Sequence, residues 1–354
     1  MKAGKVGFPK FWMRTNKLAE RTREIEQFLE SAGWAGAVVT ALAADASFRR
    51  YDRISLNDRR AVLMDAPPPQ EDTRPFIRIA KYLTQMGFSA PRIMAEDPER
   101  GFILLEDLGD DTYTHVLANG GDMRDLYALA IDTLVHLHEV SAPSNIPNGT
   151  PTYDMDALMK EAMLFVEWYL PAITGKPTEP ALMSSYQDVW QACFQDIAKS
   201  QETLVLRDYH VDNLMWLPGR TGTERCGLLD FQDALIGSRA YDVMSLIEDA
   251  RRDIPDLIRE EMISRYLSAS PDVTGQDFRR DIAILGAGRH AKVIGIFTRL
   301  SERDGKSQYL HHISRVWRLL ERDLMHPALT DVADWFEQNV PHDLRRVPAA
   351  RGAA

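Results

Sequence analysis

Asp208, Asn213 and Asp230 are the residues whose types and spacing best fit a chemistry. The first two stand in Leu206-Arg207-Asp208-Tyr209-His210-Val211-Asp212-Asn213, and the third follows an apolar pair in Leu228-Leu229-Asp230-Phe231-Gln232. A loop carboxylate can orient an attacking hydroxyl and take its proton. A neutral carboxamide oxygen can ligate magnesium without adding charge, and a carboxylate at a strand end can hold the metal that bridges nucleotide phosphates. The combination predicts phosphoryl transfer from ATP with Mg2+, with Asp208 as the catalytic residue and Asn213 and Asp230 as metal ligands. Taken alone, an Asp and an Asn five residues apart are ordinary turn and cap chemistry. The strand on either side and the apolar-Asp-Phe element about twenty residues later make the pattern specific. His210 has no second His or Cys at ligand spacing, so it is expected to support the loop or orient substrate. Arg207 is expected to anchor the loop or an acidic neighbour.

These residues need strands to place them. Apolar runs predict short strands at 203–206 and 226–229, one before each acid. Upstream, residues 36–108 are strand-like: 37–42, 48–54, 60–64, 92–96 and 102–106, with a helix over 71–86 and a hairpin turn at Asn57-Asp58. Glu71 and Asp72 are expected in the first turn of that helix, where acids complement its dipole. After Gly109 helical patterns dominate. Leu126, Leu129, Ala130, Thr133, Leu134, Leu137 and His138 form one stripe, and further helices are predicted at 159–169, 183–198, 256–268, 276–302 and 307–324. Gly286, Gly288 and Gly295 predict close packing or a break in the longest of these. Arg289, His290 and Lys292 could face an anion, although a solvated charged face is the simpler reading. The end of the chain, from Arg345 to Gly352, reads as a frayed tail. The expected division is an N-terminal extension and helix (1–35), a small unit (36–108), a helical unit (109–340) and a tail (341–354).

The pattern departs from eukaryotic protein kinases: Leu206 stands where their catalytic-loop histidine would be, and Phe231-Gln232 replaces Phe-Gly. It resembles instead the aminoglycoside phosphotransferase and choline-kinase-like family of small-molecule kinases. The segments that carry the resemblance are Asp45-Ala46-Ser47-Phe48-Arg49-Arg50-Tyr51, Val62-Leu63-Met64-Asp65-Ala66-Pro67-Pro68, Arg100-Gly101-Phe102 through Gly109, and Arg207 through Asp242. The resemblance implies an α+β, two-lobed protein-kinase-like fold, with a small five-stranded antiparallel sheet plus helix and a larger, mainly helical lobe. It implies a phosphate loop ending at Ser47 and Phe48, a hinge at Glu106 and Leu108 that reads adenine, and Asp242 as a scaffold residue capping a helix. Sugar contacts are expected from His210, Glu161, Trp168 and Tyr169. Within the family the segments are most like kinases of N-acetylated amino sugars that act at the anomeric hydroxyl, so the expected partner is a small sugar. Aminoglycosides, choline and homoserine are the alternative acceptors. The third strand, Val62-Leu63-Met64-Asp65, carries no phosphate-binding lysine. Arg49 or Arg50 is expected to supply that charge, and strand alternation leaves only one of them on the right face. The missing lysine also leaves an ATP-binding pseudokinase as a further alternative.

Composition narrows the field. A net charge of -10 over 354 residues argues against a protein that tracks nucleic-acid backbones. The longest mildly apolar run, 32–44, is too short to cross a bilayer, and the basic start interrupted by Pro9 lacks the apolar core of a secretory signal. Cys193 and Cys226, the only cysteines, lack C-x-x-C spacing and are expected as free thiols in the cytoplasm. No obligate protein partner is implied.

Overall fold

The computed structural model describes residues 10–42 and 49–350, with side chains from residue 19 onward. Two compact units divide the chain, one comprising residues up to 85 together with 90–109, the other residues 86–89 and everything from 110.

The first unit contains α1 (Lys10–Ser31), β1 (Val38–Ala41), β2 (Arg50–Leu56), β3 (Arg59–Asp65), α2 (Arg74–Gln85), β4 (Ile93–Asp97) and β5 (Phe102–Glu106). The strands form one antiparallel sheet in the order β1-β2-β3-β5-β4. Its register is set at the two-residue turn between Leu56 and Arg59, where Asn57 takes φ 53°, a left-handed conformation that Asn tolerates. Alternation then sends Ile54, Ala61, Leu63, Phe102 and Leu104 to one face. Ile25, Phe28 and Leu29 of α1 cover that face, with Phe28 stacked on Phe102 at 5.4 Å. The helix α1 is therefore part of this core, not an extension to it. Since α2 begins only at Arg74, Glu71 and Asp72 precede it, and Glu71 instead lies 3.7 Å from Arg49.

The second unit opens with α3 (Tyr113–Ala118), α4 (Met123–Val140), α5 (Met155–Ala162), α6 (Leu170–Thr174) and α7 (Pro180–Cys193). Four three-residue strands follow: β6 (Thr203–Val205), β7 (Leu214–Trp216), β8 (Cys226–Leu228) and β9 (Leu235–Gly237). The chain closes with α8 (Ala240–Ile247), α9 (Asp256–Ala269), α10 (Gly275–Asp304), α11 (Ile313–Asp323) and α12 (Thr330–Asn339). At the stripe's end on α4, His138 is buried and its Nδ1 lies 2.7 Å from the Tyr266 hydroxyl. The helix α10 runs unbroken through its glycines, which are contact points. A Cβ on Gly295 would lie 2.4 Å from the carbonyl carbon and oxygen of Leu164, and one on Gly288 would lie 2.8 Å from Phe194 Cζ. Against a backbone nothing can swing aside, so Gly295→Ala is expected to cost about 1–3 kcal/mol, read as a lowered midpoint in urea unfolding.

Three sequence expectations fail here for identifiable reasons. The helix expected over 159–169 stops at Ala162, and a π-helical turn occupies Phe165–Tyr169. Tyr169 lies in an aromatic cluster with Phe165 and Trp317. Tyr169 is 0% exposed, and its hydroxyl donates towards the carbonyls of Leu344 (2.5 Å) and Arg346 (2.8 Å). It is a core residue and not a sugar contact. The expected frayed tail is docked as far as these residues: Arg345 is largely buried, 3.1 Å from Glu321 and 2.5 Å from Glu337. Among the described residues, no helix is long and apolar enough to cross a membrane.

Candidate active site

Strand pairing brings the two acid-bearing segments together. Antiparallel pairs β6-β9 and β7-β8 hold both ends of the loop 206–213, and Leu229 N–H donates to Asn213 O at 3.0 Å. Each strand ends one residue earlier than its apolar run, because Arg207 and Asp230 turn the chain with φ of 71° and 58°. Such left-handed conformations cost a non-glycine residue free energy and persist only where neighbours fix them. Asp242 does this at Arg207. Its carboxylate accepts the N–H groups of Leu206 (2.6 Å) and Arg207 (2.9 Å) from inside the first turn of α8. The expected cap of that helix is thus a buried clamp on the loop, and Arg239 occupies the cap position instead.

Asp208, Asn213 and Asp230 converge. The Asn213 Nδ2 donates to Asp208 O (3.0 Å) and lies 3.3 Å from Asp230 Oδ2, so its Oδ1 is the end open to a cation. Gln232 donates to Asp230 Oδ1 at 2.8 Å, while its own Oε1 is buried with no hydrogen-bond partner. One carboxylate, one carboxamide oxygen and an orphaned amide oxygen on neighbouring residues are the hard donors that Mg2+ takes. Asp208 keeps 39% of its side chain exposed. Desolvation would raise its carboxyl, but Arg289, Lys292, His210 and Arg207 outweigh that and hold it well below the usual carboxylate range.

Around this centre lie further charged groups to which the sequence assigned no catalytic role. Arg289 and Lys292, three residues apart on α10, are both buried, which overturns the solvated-face reading. Arg289 NH2 is 3.3 Å from Asp208 Oδ1. Lys292 Nζ donates to Glu161 Oε1 at 2.8 Å, the same oxygen that holds the Arg207 guanidinium, and Tyr153 donates to Oε2. Glu161 is therefore occupied as an anchor rather than presented to a sugar. Trp168, on the π turn, is half-buried. His210 is buried, its Nε2 3.3 Å from Arg251; desolvation and Arg251 push its pKa down and favour the neutral ring. The available signal was α10 itself, a long helix with glycines and apolar residues on all sides. A charge in such a helix needs a buried partner.

His290 points elsewhere. Its Nδ1 is 2.7 Å from Asp323 Oδ2 and its Nε2 4.0 Å from Glu248 Oε2, beside the Gly286 backbone. Arg259 and Arg322, each 2.9 Å from Glu248 Oε1, already supply the cationic charge of this second buried cluster.

In the first unit, Ser47 and Phe48 lie outside the described residues. Arg49 precedes β2 with its Nε 3.7 Å from Glu71, and Arg50 is half-exposed and paired with Asp52 at 2.9 Å. Glu106 N–H donates to Arg92 O at 2.8 Å. Leu108 sits between Asp107, paired with Arg53 at 2.7 Å, and Gly109 at φ 90°.

An antiparallel five-stranded unit, followed by a helical unit whose strand-loop-strand brings together Asp208, Asn213 and Asp230, is the arrangement of a kinase-like phosphotransferase. The chain belongs to the phosphotransferase enzyme family, which matches residues 38–280. A relative from Caulobacter vibrioides is 33% identical over 93% of this chain and 99% of its own length. Another from Pseudomonas aeruginosa is 37% identical over 84% of this chain and 88% of its own. Both are named N-acetylmuramate/N-acetylglucosamine kinase. Among solved structures, a choline kinase from Streptococcus pneumoniae superposes with TM-score 0.62 at 12% identity, covering 87% of this chain and 100% of that one. An ADP-bound aminoglycoside phosphotransferase gives 0.54 at 14% identity, covering 87% and 99%. The fold is the α+β, protein-kinase-like one that the sequence motifs imply.

Proposed function

We propose that this chain is an ATP-dependent, Mg2+-requiring kinase that phosphorylates the anomeric hydroxyl of N-acetylmuramate or N-acetylglucosamine. The product is the sugar 1-phosphate, in a cytoplasmic route that reuses cell-wall sugars. The observation that carries the acceptor is the 33% identity sustained across almost the full length of both chains in the Caulobacter pair.

In the proposed reaction the anomeric oxygen attacks the γ-phosphorus in line. An O–P bond forms to the sugar, the bond to ADP breaks, and the hydroxyl proton passes to the Asp208 carboxylate before release to water. A hemiacetal hydroxyl is more acidic than an ordinary alcohol. An ionised, cation-flanked Asp208 therefore needs to do little more than orient it. Asn213 and Asp230, with Gln232 beside them, would hold Mg2+, which offsets charge on the nucleotide phosphates. Arg49 or Arg50 would add to that neutralisation by exchanging its present carboxylate partner for phosphate.

The test is Mg2+-dependent ADP release with N-acetylmuramate, N-acetylglucosamine, kanamycin and choline as acceptors. Turnover confined to the two N-acetyl sugars, giving an acid-labile phosphate, is the expected outcome. Turnover on kanamycin or choline alone would replace this reading by a neighbouring one in the family, and nucleotide binding without turnover on any acceptor would point to a pseudokinase.

A further inference from the structure

We infer that Arg289 is a positioning residue for phosphoryl transfer, one that acts on the reaction only by fixing the Asp208 carboxylate and the strained peptide next to it. The inference rests on the kinase reading above.

Arg289 lies mid-way along α10 and is 8% exposed. Its fork is engaged at three points within the protein. NH1 donates to Arg207 O (3.1 Å) and to the Tyr241 hydroxyl (3.0 Å), while NH2 reaches Asp208 Oδ1 (3.3 Å). One planar group thus holds a backbone carbonyl and the side chain of the next residue, which fixes the direction of the carboxylate relative to its own backbone.

The grip falls where the chain needs it. Arg207 is left-handed at φ 71°. Asp242 of α8 holds its N–H, Arg289 of α10 and Ser245 of α8 hold its carbonyl, and Glu161 of α5 holds its guanidinium. Lys292, one turn along α10, secures that same Glu161. Helix α10 therefore pins both the backbone and the side chain of the residue before Asp208. The contacts of Gly295 with the Leu164 carbonyl show that α10 itself has little room to shift. Buried and engaged at three points with protein acceptors, the guanidinium is directed at the loop and at α8. The more exposed Asp208 is the group that meets the acceptor, so Arg289 can influence chemistry only at second hand.

The test compares kcat and KM for Arg289→Lys, Asp208→Asn and the double variant, with N-acetylglucosamine and ATP. Lysine keeps the charge but cannot bridge a carbonyl, a hydroxyl and a carboxylate at once. The expected result is a kcat lowered about a hundredfold, as for a small misplacement of a reacting group, with both KM values within about twofold of wild type. In the Asp208→Asn background the same lysine substitution should cost almost nothing, because its only route of action is already gone. Tyr241→Phe, which removes just the hydroxyl beside NH1, gives a second and gentler probe if Arg289→Lys folds poorly, and is expected to lower kcat by a smaller factor at unchanged KM. A full, additive loss in the double variant, or losses that appear in KM instead of kcat, would overturn the inference. A wild-type protein inactive on every acceptor would instead remove the kinase reading beneath it.

Discussion

Asp208→Asn is expected to lower turnover on the sugar acceptor by about a hundredfold to ten-thousandfold while leaving the protein folded. The substitution is nearly isosteric, and the loop around it does not depend on the carboxylate. Its backbone is held by Asp242 at Leu206 and Arg207, by Asn213 Nδ2 at Asp208 O, and by β6 and β7 at its ends. What an amide loses is the negative charge that aligns the hydroxyl and accepts its proton. Arg289 loses a charged partner but keeps Arg207 O and Tyr241, so melting should fall only slightly. Near wild-type turnover in this variant would remove Asp208 from the chemistry and leave phosphoryl transfer to positioning alone.

Replacing Asp242 should strike stability first. Asp242→Ala leaves two successive amides, leading into a left-handed turn, without their acceptor in a dry interior. At about 1–3 kcal/mol for each orphaned group, the loss is roughly 2–6 kcal/mol, measurable as a shift in the urea midpoint. Asp242→Asn separates the charge from the hydrogen bonds. Burial pushes the Asp242 carboxyl up to about 7, against the pull of the two amides and Arg289. Because the folded value lies above the unfolded one of about 4, the native state binds the extra proton. The stability this gives is fully present below about pH 4 and is lost as pH rises through 7. Asparagine does not titrate, so the stability gap between wild type and Asp242→Asn should narrow from pH 5 to pH 8. A gap that widens with pH would mean that the amides, not burial, set the charge state.

What could be read from the sequence was what is local. Alternation, the Asn57-Asp58 turn and the glycine after the last strand place all five strands of the first unit to within about two residues, since a half-buried sheet fixes every second side chain. Asp208 and Asp230 were legible for the same reason, each lying a residue or two beyond a short apolar run, and Asn213 through its five-residue spacing from Asp208. Tyr169 was misread. A 3.6-residue period carried from Leu158 through Ala162 and Phe165 puts it on the same buried face, so the pattern favoured a core residue over a sugar contact. Asp242 looked like a cap because helix starts favour acids, and only the fold reveals that its partners are 35 and 36 residues upstream. Arg289 faces the same limit: its three partners come from a distant loop and from α8, and no spacing rule reaches them.

The docking of the chain's end on Tyr169 bears on how this protein is made. The carbonyl of Arg346 that completes the tyrosine's hydrogen bonding leaves the ribosome 177 residues after the tyrosine itself, and Phe336 and Trp317 of the same cluster also emerge late. Throughout that interval a ring of large aromatic surfaces has no permanent cover. The nascent helical unit is therefore a client for chaperones until translation has passed residue 346, and nonsense mutations shortly before that point should yield aggregates instead of slightly shortened enzyme.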